Sequence, residues 1–496
     1  MSKTKVTVIG AGAGGLTASI HLARNGFQVT VVEKNDQPGG RCGRIVRDGH
    51  RFDVGPTLFV MPKLYEQEFA ALGESMHDLL DLSRVDPTYH VIFDDGRELV
   101  LTSDFERMRQ QLEGFEKGSS AAFRRYFDEG AGHYDLAMER IVRRNFHSLG
   151  EFLTPANILA FLRLRALTPH YAHIRAFFDE PRLKAAFTFQ DLYMGLSPFE
   201  APATFSMLQF TELAHGVWYP RGGMYAVVEA LMRLAAEAGV ELLFNSPVDR
   251  ILTHQARAEG VELADGRTLE ADVVVANADL PYVYRELLPD DGSAAWLNRR
   301  KFSCSTINFL WGTDRPYPQI QPHTLFLSDH YRHNFDAFRD ERTMAEGPSV
   351  YVHAPARLDP SSAPAGGDTL VAIVPVGHLR EDSSQDWEDL KRRARNAVLL
   401  RLGTLGVTDI NQHLKFEMCS TPEDWRDRFN LVRGATHGLA HSLLQMGYFR
   451  PHNRHARYRN LYFAGASTHP GTGLPTAIVS GRLVAERVME DRGQAS

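Results

Sequence analysis

Lys5-Val6-Thr7-Val8-Ile9-Gly10-Ala11-Gly12-Ala13-Gly14-Gly15-Leu16 opens the chain and decides its fold. The run Lys5 to Ile9 alternates as a strand does, the glycines make a turn, Leu16 to Arg24 reads as a helix stopped by Gly26, and Gln28 to Val32 reads as a second strand ending in Glu33. This is G-x-G-x-x-G in the strand, turn and helix setting that gives the motif its meaning. Gly10 permits the tight turn, Gly12 lets backbone N–H groups approach a pyrophosphate, and Gly15 allows close helix–strand packing. Gly14 shares the turn, and the helix N-terminus faces the phosphates. Glu33 ends the second strand, where a carboxylate accepts hydrogen bonds from an adenosine ribose; an acid there argues against a 2′-phosphate.

The residues that follow, Lys34-Asn35-Asp36-Gln37-Pro38-Gly39-Gly40-Arg41, add a second glycine turn and a cation able to neutralise a pyrophosphate, which a nicotinamide-binding unit does not need. Here the sequence resembles the flavin-containing amine oxidase and phytoene desaturase superfamily, whose members place this Gly-Gly-Arg on FAD. The resemblance implies FAD as the cofactor, with Lys34, Gly40 and Arg41 among its contacts. It also implies that Asp53-Val54-Gly55-Pro56-Thr57 returns the chain to the flavin, making Pro56 and Thr57 its neighbours. By the same resemblance Val248 lies against the adenine through its backbone, and Asn277, after the apolar run at 273–276, lies close to the dinucleotide. At the C-terminus the resemblance implies that Gly465, Ala466, Gly473, Leu474 and Pro475, between a strand and the last helix, hold the ribityl chain and isoalloxazine ring. The family commonly carries an acid or glycine near Ala466 and Ser467, and glycine near Thr476, so this chain departs from it there.

Composition bounds the rest. The chain has 496 residues, 43% hydrophobic and 23% charged, enough for two or three domains. A net charge of −6 gives no reason to expect nucleic acid. Three scattered cysteines, Cys42, Cys304 and Cys419, make neither a disulfide framework nor a metal site, and they fit a reducing compartment. Cys42 reads as a small packed residue rather than a redox group. The first strand begins within five residues, leaving no room for a signal peptide, and no apolar stretch approaches the ~18 residues of a spanning helix. The expectation is a cytoplasmic protein, peripheral on the membrane.

Between the ends the pattern changes twice. Tyr89 to Phe93 and Glu98 to Leu101 flank Asp95-Gly96 as a hairpin. Residues 103–200 then turn helical, and Thr154-Pro155 caps a helix expected to run to Leu167 with Ile158, Leu159, Phe161, Leu162 and Leu164 around it and Arg163 and Arg165 between. Such a helix either buries completely or lies in a bilayer interface. Aromatics crowd the region before Gly216-Val217-Trp218-Tyr219-Pro220-Arg221-Gly222-Gly223, and the stretch from Tyr193 to Gly223 is similar to its counterpart in bacterial and fungal phytoene desaturases. Phe205, Phe210, Trp218 and Tyr219 are the candidate substrate residues from this stretch. Strands are expected at 305–310, 350–353 and 370–374, and the Pro/Ser/Gly-rich segment 358–368 reads as a surface excursion.

The expected architecture is an α/β fold: a discontinuous Rossmann-type FAD-binding domain (1–85, 216–300, 449–496), a mixed-sheet substrate domain (86–102, 301–448) and a helical, membrane-associating subdomain (103–215). The resemblance implies an FAD-dependent carotenoid desaturase acting on CH–CH groups of phytoene or a related polyene, with an acceptor such as oxygen or a quinone. A polyene of about forty carbons gains roughly 0.8 kcal/mol per buried CH₂-sized unit on leaving water, so it must be loaded from a membrane surface. The alternatives are another flavin oxidase of the superfamily, acting on amines or porphyrinogens, or a noncatalytic escort for prenylated proteins. No catalytic residue is identified, and no metal cluster is expected.

Overall fold

The computed structural model describes residues 3–493 apart from 291, 293, 340–343 and 381–384. Three distant parts of the chain build one five-stranded parallel sheet, in the order Leu461–Phe463, Val273–Ala276, Lys5–Ile9, Gln28–Val32, Glu241–Leu243. Its central strands are covered on both faces, so that even Thr7 between the valines of the first strand is buried. Val6, Val8, Val29, Val31, Val273 and Val275 pack on the side of helices Ala13–Arg24, Ala226–Glu237 and Leu474–Asp491. The C-terminal helix crosses the first one at Gly481, where a Cβ would fall 2.3 Å from Gly14 O. Only glycine allows that approach.

A seven-stranded mixed sheet forms a second layer, ordered Leu414–Ser420, Ser305–Thr313, Asp368–Val376, Val350–His353, His323–Leu327, Tyr89–Phe93, Glu98–Leu101. The hairpin joins it through a parallel pairing of Tyr89–Phe93 with His323–Leu327. The period-2 alternation of its strands sorts residues between two environments. Ile307, Phe309, Val350, Val352, Ala372 and Val374 face a core closed by helix Trp387–Thr404, whereas Thr306, Asn308, Tyr351, Ile373 and Pro375 line a cavity.

Several expectations change. Strands Ser305–Thr313 and Asp368–Val376 are longer than the sequence suggests, and Arg44–Arg47, His323–Leu327 and Leu414–Ser420 were not expected. The segment 358–368 is more than a surface loop: Asp359 binds Arg51 Nη2 at 2.5 Å and Gly222 N at 2.9 Å, and Asp368 is buried against Arg357. The helix expected to reach Leu167 ends at Arg163, with Leu164 buried and Arg165 in the left-handed region at φ 49°. Of its residues only Asn157 and Ala160 are buried, so the core alternative for this helix is wrong. No helix of the described residues is long and apolar enough to cross a membrane.

Candidate functional site: a dinucleotide cradle opening into an apolar cavity

The glycine turn is held by the ends of the first two strands. Gly10, at φ 96°, donates its N–H to Val32 O at 2.7 Å, and Ala11 donates to Glu33 Oε2 at 2.8 Å. Glu33 Oε1 accepts from Asn35 N at 2.9 Å, so a buried carboxylate faces the cradle already oriented. The second turn is tied on by Gly39 N donating to Ala11 O at 2.8 Å. A Cβ on Gly15 would lie 2.2 Å from Gly10 O, which is the close packing the motif demands. Gly12 caps the following helix with no side-chain hydrogen bond, and Gly473 does the same for the C-terminal helix. Two helix starts thus face one cavity without a side-chain cap on their first N–H groups.

Asn277 joins the two ends of the chain. A Cβ on Gly12, Gly14, Gly15 or Gly465 would lie 2.8–2.9 Å from its amide atoms, so its side chain fills the space those four glycines leave. Gly14 and Gly465 also line the cavity, as do Gly10, Gly12, Gly40, Arg41, Pro56, Thr57, Val248, Ala466, Gly473, Leu474 and Pro475. Arg41 donates to Thr436 O at 2.8 Å; burial pulls its guanidinium down while the Asp279 carboxylate opposes the shift. Lys34 is in the wall, but its ammonium is committed to Asp427 O at 2.8 Å and Asn430 Oδ1 at 2.7 Å. Cys42 also lies in the wall, buried, with its thiol pushed well up by burial.

An apolar cavity between the mixed sheet and the helical region is continuous with this cradle, the two together enclosing about 850 Å³. Its far wall is apolar, with Phe189, Phe205, Leu208, Leu325, Leu327 and Phe335 among the lining residues, and its rim carries Leu153, Ile158, Leu162, Leu167, Leu444 and Phe449, all at least 40% exposed. Of the candidate substrate residues only Phe205 lies in the wall. Phe210 packs against Phe127, Tyr134 and His215 instead. Trp218 donates its indole N–H to His215 O at 3.0 Å and rests on the core of the parallel sheet, while Tyr219 is buried with its hydroxyl on Asp53. Strand Val217–Pro220 pairs with Leu82–Val85, and that pairing holds both rings outside the cavity. Gly15 also lies behind the wall, where its role is packing.

Sequence reasoning missed three groups. His441 lies in the wall; Thr472 N donates to its Nε2 at 3.1 Å, and its Nδ1 is buried without a partner. Burial, Arg450 and His437 hold its pKa well below the usual range, so the neutral ring carries its proton on that unpartnered Nδ1. Asp279, also in the wall, accepts from Ser467 Oγ at 2.5 Å, so a carboxylate does face the turn where the family's acid is lacking in sequence. Glu212, buried behind the wall, holds Tyr193. Each is a lone residue within its segment, brought into place from far along the chain, and no local pattern marks it.

The residues present fit a bound dinucleotide. Two glycine turns without a Cβ on their inner side, an arginine in the wall and an oriented carboxylate suit a dinucleotide, and the imidazole Nδ1 of His441 is buried there without a partner. Among the described residues no cluster of His, Cys, Asp or Glu suits a metal ion.

A parallel-sheet dinucleotide fold continuous with a large apolar cavity defines a cofactor-dependent oxidoreductase. The flavin-containing amine oxidoreductase family model matches residues 13–489, and the chain belongs to that family. A dinucleotide cradle in a flavin family makes the cofactor FAD. The chain is 40% identical to a phytoene desaturase of Fusarium fujikuroi, over 99% of this chain and 90% of that one. It is 42% identical to a zeta-carotene-forming phytoene desaturase of Myxococcus xanthus, over 98% and 94%. Among solved structures, a putrescine oxidase superposes with a TM-score of 0.64 at 16% identity, covering 99% of both chains. An oxidoreductase from Methanosarcina mazei gives 0.63 at 17%, covering 98% of this chain and all of the other. These two likenesses concern the fold alone.

Proposed function

We propose that the protein is an FAD-dependent carotenoid desaturase that introduces double bonds into phytoene or a related polyene. The observation that carries this reading is the continuity of the cavity from Arg41 and the glycine turns, past an apolar wall, to a rim of exposed leucines. A long hydrocarbon calls for the extended apolar lining seen beyond the cradle. The full-length similarity to phytoene desaturases supports the same substrate class.

Bound FAD would supply a hydride acceptor for one of two adjacent saturated carbons, with an acceptor such as oxygen or a quinone to reoxidise it. The chain's own residues do the rest. Gly10, Gly12, Gly14, Gly40 and Arg41 hold the pyrophosphate, Glu33 the ribose, and Val248 the adenine edge. Pro56, Thr57, Asn277, Gly465, Ala466, Gly473, Leu474 and Pro475 hold the ring end, and Phe205 with its apolar neighbours excludes water and aligns the polyene. The rim leucines rest in the headgroup boundary of a membrane, where the substrate resides, and the protein is peripheral there. Co-expression with pathways that form phytoene or its partly desaturated relatives tests the reading: further desaturated products are expected, and an FAD-loaded protein that leaves all of these polyenes untouched overturns it.

A further inference from the structure

One polar thread runs into the apolar cavity. Tyr89, Tyr193 and Tyr351 all stand in its wall. Tyr193 donates its hydroxyl proton to Glu212 Oε1 at 2.7 Å, and its oxygen is hydrogen-bonded to the hydroxyl of Tyr89. Because the one proton of Tyr193 is spent on the carboxylate, the proton in the bond between the two phenols is that of Tyr89. The thread is therefore directional, from Tyr89 at the cavity, through Tyr193, to the buried glutamate.

Glu212 is only 2% exposed, and Gln190 Nε2 on its other oxygen, at 3.2 Å, is a neutral partner. No Lys, Arg or His of the described residues forms an ion pair with it; the groups that face it are Gln190, Tyr193, Tyr89 and Tyr351. An ionised carboxylate buried without a cation costs several kcal/mol, and hydrocarbon packing gains nothing from it. Burial pushes its pKa up to about 7, with the bonds from Tyr193 and Gln190 opposing the shift. It is therefore poised to exchange a proton near neutral pH.

The thread also enters the cavity at the cofactor end. The Tyr89 ring lies 6.4 Å from that of Tyr351, whose hydroxyl is 2.8 Å from Thr57 Oγ1 and 2.7 Å from His323 Nδ1. Thr57 follows Gly55-Pro56, and Gly55 is packed so tightly on Arg41 that a Cβ would meet its carbonyl at 2.2 Å. His323 and its stacked neighbour His353 are held neutral by burial, so they add no charge to this end.

We propose that Tyr89 accepts the proton released in each desaturation and relays it through Tyr193 to Glu212; this rests on the desaturase reading above. The polyene loses a hydride, with its bonding pair, from one carbon to FAD, and is oxidised by two electrons as the cofactor is reduced by two. On the adjacent carbon the C–H bond breaks, its electron pair becomes the new π bond, and its proton goes to Tyr89 Oη. The Tyr89 proton moves to Tyr193 Oη and the Tyr193 proton to Glu212 Oε1, leaving two neutral phenols and a neutral acid. The proton leaves by the same hydroxyls after the product has moved on. Tyr89 and Tyr193 both stand in the cavity wall, and Glu212, buried behind it, acts through them.

Glu212→Gln keeps the shape and an acceptor for Tyr193 but takes no proton, and Tyr193→Phe cuts the thread at its middle. Each is expected to lower kcat roughly 10²- to 10⁴-fold, the usual worth of general-base catalysis, with KM and FAD content close to wild type. The wild-type rate rises with pH through about 7 as Glu212 ionises, and Glu212→Gln loses that limb. Infrared titration of the holoenzyme without substrate adds a readout independent of turnover: a protonated-carboxyl band fades as pH rises through about 7 and is missing in Glu212→Gln, while the Asp53 band that fades near 6 is kept. Wild-type kcat in either variant, an unchanged pH limb in Glu212→Gln, or no such band overturns the relay while leaving the desaturase reading intact. If Glu212→Gln fails to load FAD, Tyr193→Phe decides. Wild-type protein that leaves phytoene and its partly desaturated relatives unchanged overturns the desaturase reading and the relay together.

Discussion

Tyr219 donates its hydroxyl to Asp53 Oδ2 at 3.2 Å, and the same carboxylate accepts from Met224 N at 3.0 Å and Tyr225 N at 3.3 Å. A side chain from one end of the chain thus organises the turn that carries Arg221-Gly222-Gly223 into the helix Ala226–Glu237. A Cβ on Gly223 would lie 2.8 Å from both carboxylate oxygens, so the turn is moulded around Asp53.

Burial raises the Asp53 pKa to about 6, against the opposing bonds from Met224, Tyr225 and Tyr219. The unfolded chain ionises this group near ~4. Between these values the folded protein holds a proton that the unfolded one has lost, so this group's contribution to stability falls as pH rises through that window and is level above it. Tyr219→Phe removes a donor from the ionised form. It is expected to cost about 1–3 kcal/mol at pH 7.5 and less at pH 5, with the product pattern unchanged because Tyr219 lies outside the cavity wall. Urea midpoints at the two pH values and product chromatography check this; altered desaturation with unaltered stability would return Tyr219 to the substrate wall.

Gly15→Ala should be intolerable, since its Cβ would meet the Gly10 carbonyl at 2.2 Å and backbone on both sides resists a shift. Gly26→Ala is the control: at φ 88° it is strained, but nothing lies within 4 Å of the added carbon. We expect no flavin absorbance from purified Gly15→Ala, and a near-normal spectrum with a loss of about 1 kcal/mol for Gly26→Ala. Equal flavin loading of the two proteins would show that the turn is looser than its geometry.

His441→Ala removes the acceptor of the Thr472 N–H and the orphaned Nδ1–H together. An expected loss of about 1.4 kcal/mol or more weakens FAD roughly tenfold or more. Because the ring is held neutral far below its usual range, wild-type affinity should be flat from pH 6 to 8 as far as this residue is concerned. Flavin fluorescence titration measures both. A variant that binds FAD as tightly as wild type would mean that Nδ1 faces no part of the cofactor.

What the sequence made legible was what it encodes locally. The first 41 residues contain strand, turn, helix, strand and second turn in unbroken order, and Gly10, Gly12, Gly14, Gly15 and Gly39 each answer a nearby steric demand. Gly481 and Asn277 show the limit: their spacing means nothing until the C-terminal helix and the fourth parallel strand are laid against the first turn. Trp218 and Tyr219 were misread for a related reason. Their similarity to a family segment was evident, but the side each ring faces depends on pairing with Leu82–Val85, more than a hundred residues away. The helix at 155 was ambiguous because an apolar helix reads alike whether it meets a core or a bilayer.

The rim supplies the test of that last ambiguity. Ile158, Leu159 and Leu162 are 47%, 49% and 64% exposed on the helix Pro155–Arg163, and Leu167 beyond it is 73% exposed. Leu444 and Phe449 stand across the same cavity mouth. Arg163 is exposed beside them, but Arg165 is held by Glu129 at 2.6 Å, so fewer cations serve this surface than the sequence suggests. Each free one contributes about 1 kcal/mol near an anionic leaflet, so insertion of the apolar side chains outweighs charge attraction and the binding is only partly salt-sensitive. Leu159→Glu with Leu162→Glu replaces exposed carbon with charge and should leave folding and flavin absorbance intact. The double variant is expected to stay at the bottom of a liposome flotation gradient in which wild type rises. It should also lose turnover of phytoene held in vesicles while still acting on detergent-dispersed phytoene. If it floats like wild type, another surface meets the membrane; if it loses flavin, these leucines are needed to hold the fold.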